Sequence, residues 1–177
     1  MPSLRLITAH LLPPLALIGV VLFSVLPLHV PVSLPLPGWP QSGISLHLPL
    51  GLMLVYFWAV YRPDLLGVAA VFLAGLLFDV LAGSSEIPPG LIAISWVVIR
   101  WIALELRRFL ASEPFALLWG GMAMASVLNA LIVWGGHSLL MGRLLPPTPA
   151  LGEVMLAIAL FPPLAFVLIR LNRRLPE

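Results

Sequence analysis

Long apolar stretches, separated by turns rich in proline or glycine, constrain this chain more than any other feature of its sequence. The stretch from residue 65 to residue 83, for example, contains a single charged residue, Asp79. A helix of about 20 residues rises ~1.5 Å per residue and so crosses the ~30 Å hydrocarbon core of a bilayer. Overall 61% of residues are hydrophobic and 9% are charged, whereas soluble domains carry about 25% charged residues. The sequence therefore predicts an all-α integral membrane protein.

Six membrane spans fit into the 177 residues and leave only short connections between them. We predict one compact bundle of six transmembrane helices covering residues 1–177, without a separate extramembrane domain. The first apolar stretch is interpreted as a span and not as a signal peptide, because Pro13, Pro14 and Pro27 do not suit a cleavage site. The predicted spans are residues 7–28, 48–61, 64–83, 91–106, 114–140 and 151–171.

The distribution of arginine predicts the orientation of the bundle. All nine basic residues are Arg, and the alternate connections on one side hold only Arg143. By the positive-inside rule the arginine-rich side faces the cytoplasm, so both termini are expected there. Basic residues at span ends are orientation signals, and no nucleic-acid surface is expected. The arginine-rich side holds Arg5, Arg62, Arg107, Arg108, Arg170, Arg173 and Arg174.

Asp79 lies inside the third predicted span, where a free carboxylate costs a few kcal/mol. We therefore expect it to face a neighbouring helix and to have a structural role. Its partner is left open between Arg100, Asn129, a backbone amide and a lipid, and Arg100 could instead extend to the cytoplasmic headgroups. Residues spaced by four share its face of the helix and let another backbone approach closely: Gly67, Val71, Gly75, Asp79 and Gly83.

A second stripe of small residues lies on the fifth span, at Gly121, Ala125 and Asn129. We predict that this stripe packs against the third span or accepts the helix of a partner protein.

The segment between the first two spans is rich in proline and has no charged residue. Such a segment favours extended polyproline-like backbone. It either lies at the membrane interface or docks a partner, and the candidate docking residues are Leu34, Leu36 and Trp39.

The second span ends in aromatic residues that suit a belt at the lipid headgroups, namely Tyr56, Trp58 and Tyr61. The sequence Arg62-Pro63-Asp64 predicts a tight reversal, since proline disfavours helix at Arg62 and Asp64 can cap the third span.

Catalytic motifs are not found in the sequence. The chain has no Cys, and its four His residues do not form a His-Glu-x-x-His motif. It also has no glycine-rich phosphate loop and no Gly-x-Ser-x-Gly turn. We therefore expect neither an enzyme nor a bound cofactor or metal ion.

Three groups of residues resemble the bacterial rod-shape-determining MreD family. They are Trp58-x-x-Tyr61-x-Pro63, the run from Gly75 through Asp79 to Gly83, and the Pro89-Gly90 turn. The family's turn usually has a short Pro-x-Gly link, whereas here Glu86 and a proline pair intervene. The resemblance covers about 35 residues in these motifs, and elsewhere only the layout of the spans is similar.

The resemblance implies a non-enzymatic membrane scaffold of the cell-elongation complex, which serves cell shape and peptidoglycan synthesis. Such a protein binds MreC and thereby connects the cytoskeletal protein MreB with the glycosyltransferase RodA and its transpeptidase. It also implies a fold similar to the substrate-binding subunits of energy-coupling-factor transporters. The alternatives are such a vitamin-binding subunit, which needs several convergent polar side chains, and a lipid-processing enzyme, which needs a cluster of acids and histidines.

Overall fold

The computed structural model describes residues 15–23, 47–82, 89–112 and 115–172, which form six α-helices and no strand. Helix α1 covers residues 15–23. The others are α2 (Leu50–Tyr61), α3 (Val68–Ala82), α4 (Leu91–Ser112), α5 (Phe115–Leu140) and α6 (Thr148–Asn172), and a short 3-10 helix, Pro63–Leu65, lies between α2 and α3. The prediction of an all-α fold is confirmed for this part of the chain.

Helix α2 lies at the centre of the bundle. Every residue from Gly51 to Val60 is buried, and the helix contacts α4, α5 and α6. Its sequence is apolar on all sides, which is typical of a helix surrounded by others. Tyr56 and Trp58 are 2% and 1% exposed. The predicted headgroup belt is therefore wrong for these two residues, because their rings pack in the core.

The Tyr56 side chain also explains why position 121 is occupied by glycine. Its hydroxyl donates a hydrogen bond to the carbonyl oxygen of Leu118, 3.0 Å away. A Cβ at Gly121 would overlap that hydroxyl, so glycine is what lets α5 approach α2 here. Ala125, one turn further along, is also buried. This part of the predicted docking stripe is occupied by the chain's own core.

Helix α3 packs along α4, not along α5 as predicted. The predicted close approach at Gly75 is present, since a Cβ there would lie 2.6 Å from the Cα of Ala93 in α4. The stripe does not extend to Gly67, which is exposed and precedes the helix. A stripe of small residues indicates that another backbone can come close, but it does not indicate which helix provides that backbone. Helix α4 is the neighbour here because it follows α3 after a short connection.

Three predicted helix boundaries differ from the observed ones by three residues or more. Helix α6 begins at Thr148 and not at residue 151. Helix α3 begins at Val68 and not at residue 64, because Pro63 to Leu65 form the 3-10 helix. Asp64 is exposed and lies inside the 3-10 helix, whose N-cap residue is Arg62. Helix α4 continues to Ser112, six residues beyond the predicted end at 106. The charged residues after position 106 mark the end of the apolar segment, but charged residues are compatible with helix, so the helix continues beyond that segment.

Two helices, α5 and α6, are long and apolar enough to cross a membrane. Only 22% of the apolar window of each is buried in the bundle. Helices α2 and α3 are shorter, with 12 and 15 residues, which correspond to about 18 and 22 Å. Outward-facing apolar side chains occur on several helices, and a lipid environment accommodates such a surface. Among them are Leu73, Trp101, Met124, Leu139 and Phe166.

From α2 to α6, consecutive helices run in opposite directions. Residues at the start of α2, α4 and α6 and near the end of α3 and α5 line one common cavity. These five helix ends therefore meet at one end of the bundle, which we call the cavity end.

Candidate functional site: a polar cavity beside the Asp79 joint

The carboxylate of Asp79 joins α3 to the first turn of α4. Its Oδ2 accepts hydrogen bonds from the backbone N–H groups of Gly90 at 2.9 Å, Ile92 at 3.0 Å and Ala93 at 3.3 Å. The first N–H groups of a helix have no partner within the helix, and its positive N-terminus attracts anions. Asp79 therefore acts as the N-terminal cap of a neighbouring helix, and we call this contact the Asp79 joint.

Two glycines of the family-like motif make the joint possible. Gly75 lies one helical turn before Asp79 and allows the α3 backbone to touch α4 at Ala93. Gly90 has a φ of 134°, a conformation that L side chains rarely adopt, and its space is otherwise open. Position 75 thus requires glycine because there is no space for a Cβ, whereas position 90 requires glycine because of its backbone conformation.

Arg100 does not pair with Asp79 but with backbone oxygens of the turn between α2 and α3. Its Nε donates to the carbonyl oxygen of Leu66 at 2.9 Å, and its Nη2 donates to that of Pro63 at 3.3 Å. Arg100 as a whole residue is 9% exposed. Arg100 therefore holds the turn between α2 and α3 against α4 through two hydrogen bonds to peptide oxygens.

Asn129 pairs with Ser95, not with Asp79. Its Oδ1 lies 2.6 Å from the hydroxyl oxygen of Ser95, which also lies 3.0 Å from the carbonyl oxygen of Ile92. Ser95 is fully buried. This polar contact connects α5 to α4 close to the Asp79 joint.

A cavity of about 340 Å³ opens beside the joint. Its volume lies within the ~300–1,000 Å³ range of small-molecule sites. The lining is mostly apolar and includes the aromatic rings of Phe78, Trp96 and Trp134. The polar side chains in the lining are His47, Asp79, Asn129, His137 and Glu153. The cavity can therefore combine aromatic contact with hydrogen bonding and negative charge.

An ion pair between His47 and Glu153 lies at the cavity. The Nδ1 of His47 is 3.7 Å from Oε1 of Glu153, and the two side chains are 41% and 34% exposed. The hydrogen bond to Glu153 raises the pKa of His47, burial opposes this rise, and the charge of Glu153 adds to it. The pair connects the segment before α2 with the first turns of α6.

The His47–Glu153 pair should make stability depend weakly on pH. Because the pKa of His47 is raised in the folded protein, the pair contributes fully below about pH 6.5 and is lost as pH rises through the raised pKa. Both groups are partly exposed, so the effect should stay below about 1 kcal/mol. Thermal unfolding in detergent between pH 5.5 and 8.5 measures it.

His47→Gln should flatten that pH profile. His137→Gln is the matched control, since His137 lines the same cavity and no described carboxylate lies within ion-pair distance of it. An unchanged profile in His47→Gln would contradict the assignment.

Other predicted site residues lie away from the cavity or outside the described chain. The Trp58 ring packs edge-on against Phe57 with centroids 5.6 Å apart, and no acceptor in the described ranges reaches its Nε1. Tyr61 stacks on Phe57 at 4.7 Å, and Pro63 provides an oxygen to Arg100. Four predicted site residues fall outside the described residues: Leu34, Leu36, Trp39 and Gly83.

The His47–Glu153 pair was not predicted from the sequence, although a signal for it exists. Both residues lie beside the starts of predicted spans on the side with few arginines, so they could have been placed at one membrane surface. No comparable signal indicates that Arg100 binds peptide oxygens or that Trp96 and Trp134 border open space.

Comparison of the chain with family models, curated proteins and solved structures finds no match in any of the three.

Proposed function

We propose that this chain is a non-enzymatic membrane scaffold of the MreD type, with six spans and both termini in the cytoplasm of a bacterial cell. In this role it binds MreC in the inner membrane. Through MreC it helps to connect MreB with RodA and its transpeptidase, and so contributes to cell shape and peptidoglycan synthesis.

The Asp79 joint is the observation that carries this proposal. Gly75, Asp79 and Gly90 carry much of the likeness to the MreD family, and they form one connected contact between α3 and α4. The carboxylate is engaged by three backbone amides, so its chemistry serves the fold. A motif that builds a rigid helix pair suits a protein whose task is to hold partners.

The charge distribution supports the proposed orientation. Arg62, Arg107 and Arg170 belong to helix ends opposite to the cavity end. The positive-inside rule then puts the cavity end on the outer face of the membrane.

The expected docking of a partner helix on the glycine faces needs revision. Gly75 and Gly121 contact Ala93 and Tyr56 of the chain itself, and Gly136 contacts Leu91. A partner helix can use only faces that remain open, such as the outward face of α5. A Cβ at Gly120 or Gly135 on that helix would meet no atom within 4 Å.

Co-expression with the MreC protein of the same organism tests the scaffold function. We expect the two proteins to remain together through affinity purification and gel filtration in detergent. The triple variant Leu34→Ser, Leu36→Ser, Trp39→Ser should lose MreC if the proline-rich segment is part of the interface. Failure of a folded wild-type protein to bind MreC would reject the scaffold proposal.

A second candidate is a vitamin-binding subunit of an energy-coupling transporter. This alternative requires a cavity with several convergent polar side chains, and the described residues contribute five polar side chains to the lining. Thermal stabilisation by a vitamin, together with co-purification of a transporter's energy-coupling module, would favour this function over the scaffold.

A further inference from the structure

We propose that the cavity binds the ammonium or guanidinium head of an organic cation, with Glu153 as its ionic partner and Trp96 and Trp134 as aromatic walls. This inference concerns the charge and shape of the cavity itself, and it does not depend on the scaffold function.

The charged groups around the cavity favour a cation. Two carboxylates, Asp79 and Glu153, belong to its lining, and none of the described residues that line it is Arg. Arg143, the basic residue of the loop between α5 and α6, is exposed and contacts Met141. The chain contains no Lys. When His47 is neutral, an anion would therefore meet negative charge here, and no Arg or Lys side chain of the described lining compensates it.

The two carboxylates have different roles. Asp79 is already engaged by backbone amides at the positive end of α4, which offsets much of its charge. Glu153 has only the His47 ring as an ionic partner within the described residues. When His47 is neutral, the charge of Glu153 is not compensated, so Glu153 is the stronger attractor for a ligand.

Aromatic rings favour an organic cation over a metal ion. Phe78, Trp96 and Trp134 belong to the lining, and the faces of such rings attract ammonium and guanidinium groups. A volume of about 340 Å³ also exceeds the space of a single ion. No group of three or more His, Cys, Asp or Glu that could hold a metal occurs in the described part of the chain.

Protonation of His47 should compete with the ligand for Glu153. The groups that face this pair are Asp79 from α3 and His137 from α5, while α2 and α4 contribute only uncharged residues to the lining. Binding of a cation should therefore strengthen as pH rises and His47 loses its proton.

The test is titration of the purified full chain in detergent with three indoles of similar size and different charge. The probes are tryptamine as the cation, tryptophol as the neutral analogue and indole-3-acetate as the anion, measured by calorimetry at pH 8. We expect tryptamine to bind at least tenfold more tightly than tryptophol and indole-3-acetate not to bind. Its Kd should rise at least tenfold when the pH is lowered to 5.5.

Two matched substitutions test whether Glu153 is the carboxylate that binds the cation. Glu153→Gln should raise the Kd of tryptamine at least tenfold at pH 8, whereas Glu105→Gln, on an exposed part of α4, should leave it unchanged. Equal binding of all three indoles, or an unaffected Kd in Glu153→Gln, would overturn the proposal. If Glu153→Gln does not fold, the binding of the three indoles to the wild-type protein and its dependence on pH test the proposal. No binding of tryptamine, phenethylamine or agmatine to the folded protein also overturns it.

A second arm identifies the source of the cation. The same titration on the complex with MreC should be unchanged if the natural ligand is a free amine. Loss of tryptamine binding in the complex would instead indicate that a basic side chain of the partner fills the cavity. Because the first arm uses the isolated chain, failure of the scaffold function does not affect it.

Discussion

Asp79→Ala is expected to destabilise the protein by about 3 kcal/mol, because it leaves backbone donors at the start of α4 without their acceptor. Three N–H groups share Oδ2 of Asp79; the bond from Ala93 is buried, and those from Gly90 and Ile92 are partly buried. An unsatisfied donor removed from water costs about 1 kcal/mol or more. For a chain of this size the loss corresponds to a decrease of roughly 6–12 °C in Tm. Thermal unfolding of the purified protein in detergent measures it.

Two variants test the origin of this loss. Asp79→Asn keeps an acceptor oxygen but removes the charge, so it should retain part of the stability that Asp79→Ala loses. Asp64→Ala is the matched control, since Asp64 is an exposed carboxylate outside the joint, and the Tm of this variant should stay close to that of the wild type. Equal Tm values for Asp79→Ala and Asp64→Ala would contradict the structural role of the joint.

Gly75→Ala is expected to cost about 3 kcal/mol, the upper part of the usual range for overpacking. The added Cβ would lie 2.6 Å from the Cα and 3.0 Å from the backbone N of Ala93. Backbone atoms cannot rotate away as a flexible side chain can, so α3 and α4 must separate. Thermal unfolding in detergent gives the loss directly.

Gly120→Ala provides the matched control for this substitution. Gly120 also lies inside a helix, but an added Cβ there would meet no atom within 4 Å. This variant should be neutral or more stable by up to about 1 kcal/mol, because alanine favours helix over glycine. A Gly75→Ala protein as stable as Gly120→Ala would refute the close approach.

The two large effects should not be additive. Separation of α3 from α4 in Gly75→Ala also moves the carboxylate of Asp79 away from the amides of α4. The double variant Gly75→Ala, Asp79→Ala should therefore lose less stability than the sum of the single variants, as expected for residues that share one contact. Strict additivity would mean that the two residues act independently.

Glycine spacing predicted a close approach of two backbones but not the identity of the second one. Gly75 touches Ala93 of α4, whereas the stripe on α5 was expected to be its partner. The short connection between α3 and α4 was the better guide, because short connections place consecutive helices side by side. Similarly, a backbone amide was one of the open alternatives for Asp79, and only the packing of α3 on α4 decides between them.

Aromatic residues near a predicted span end gave a misleading signal. Tyr56 and Trp58 suit a headgroup belt by sequence, but α2 is surrounded by α4, α5 and α6. Sequence periodicity cannot separate a buried helix from a lipid-facing one when both are apolar on all sides. The depth of α2 in the bundle depends on how its neighbours pack.

Hydropathy and charge alone determined the helical class of this protein, the approximate position of its helices and the arginine asymmetry of their ends. These properties are local, because each depends on the free energy of transferring a short segment from water to an apolar environment. Only the tertiary structure decided that Asp79 caps α4, that Arg100 clamps the turn after α2, and that a cavity remains among five helix ends. Those features arise from contacts between residues distant in sequence, and a cavity is the space that side chains leave when they pack.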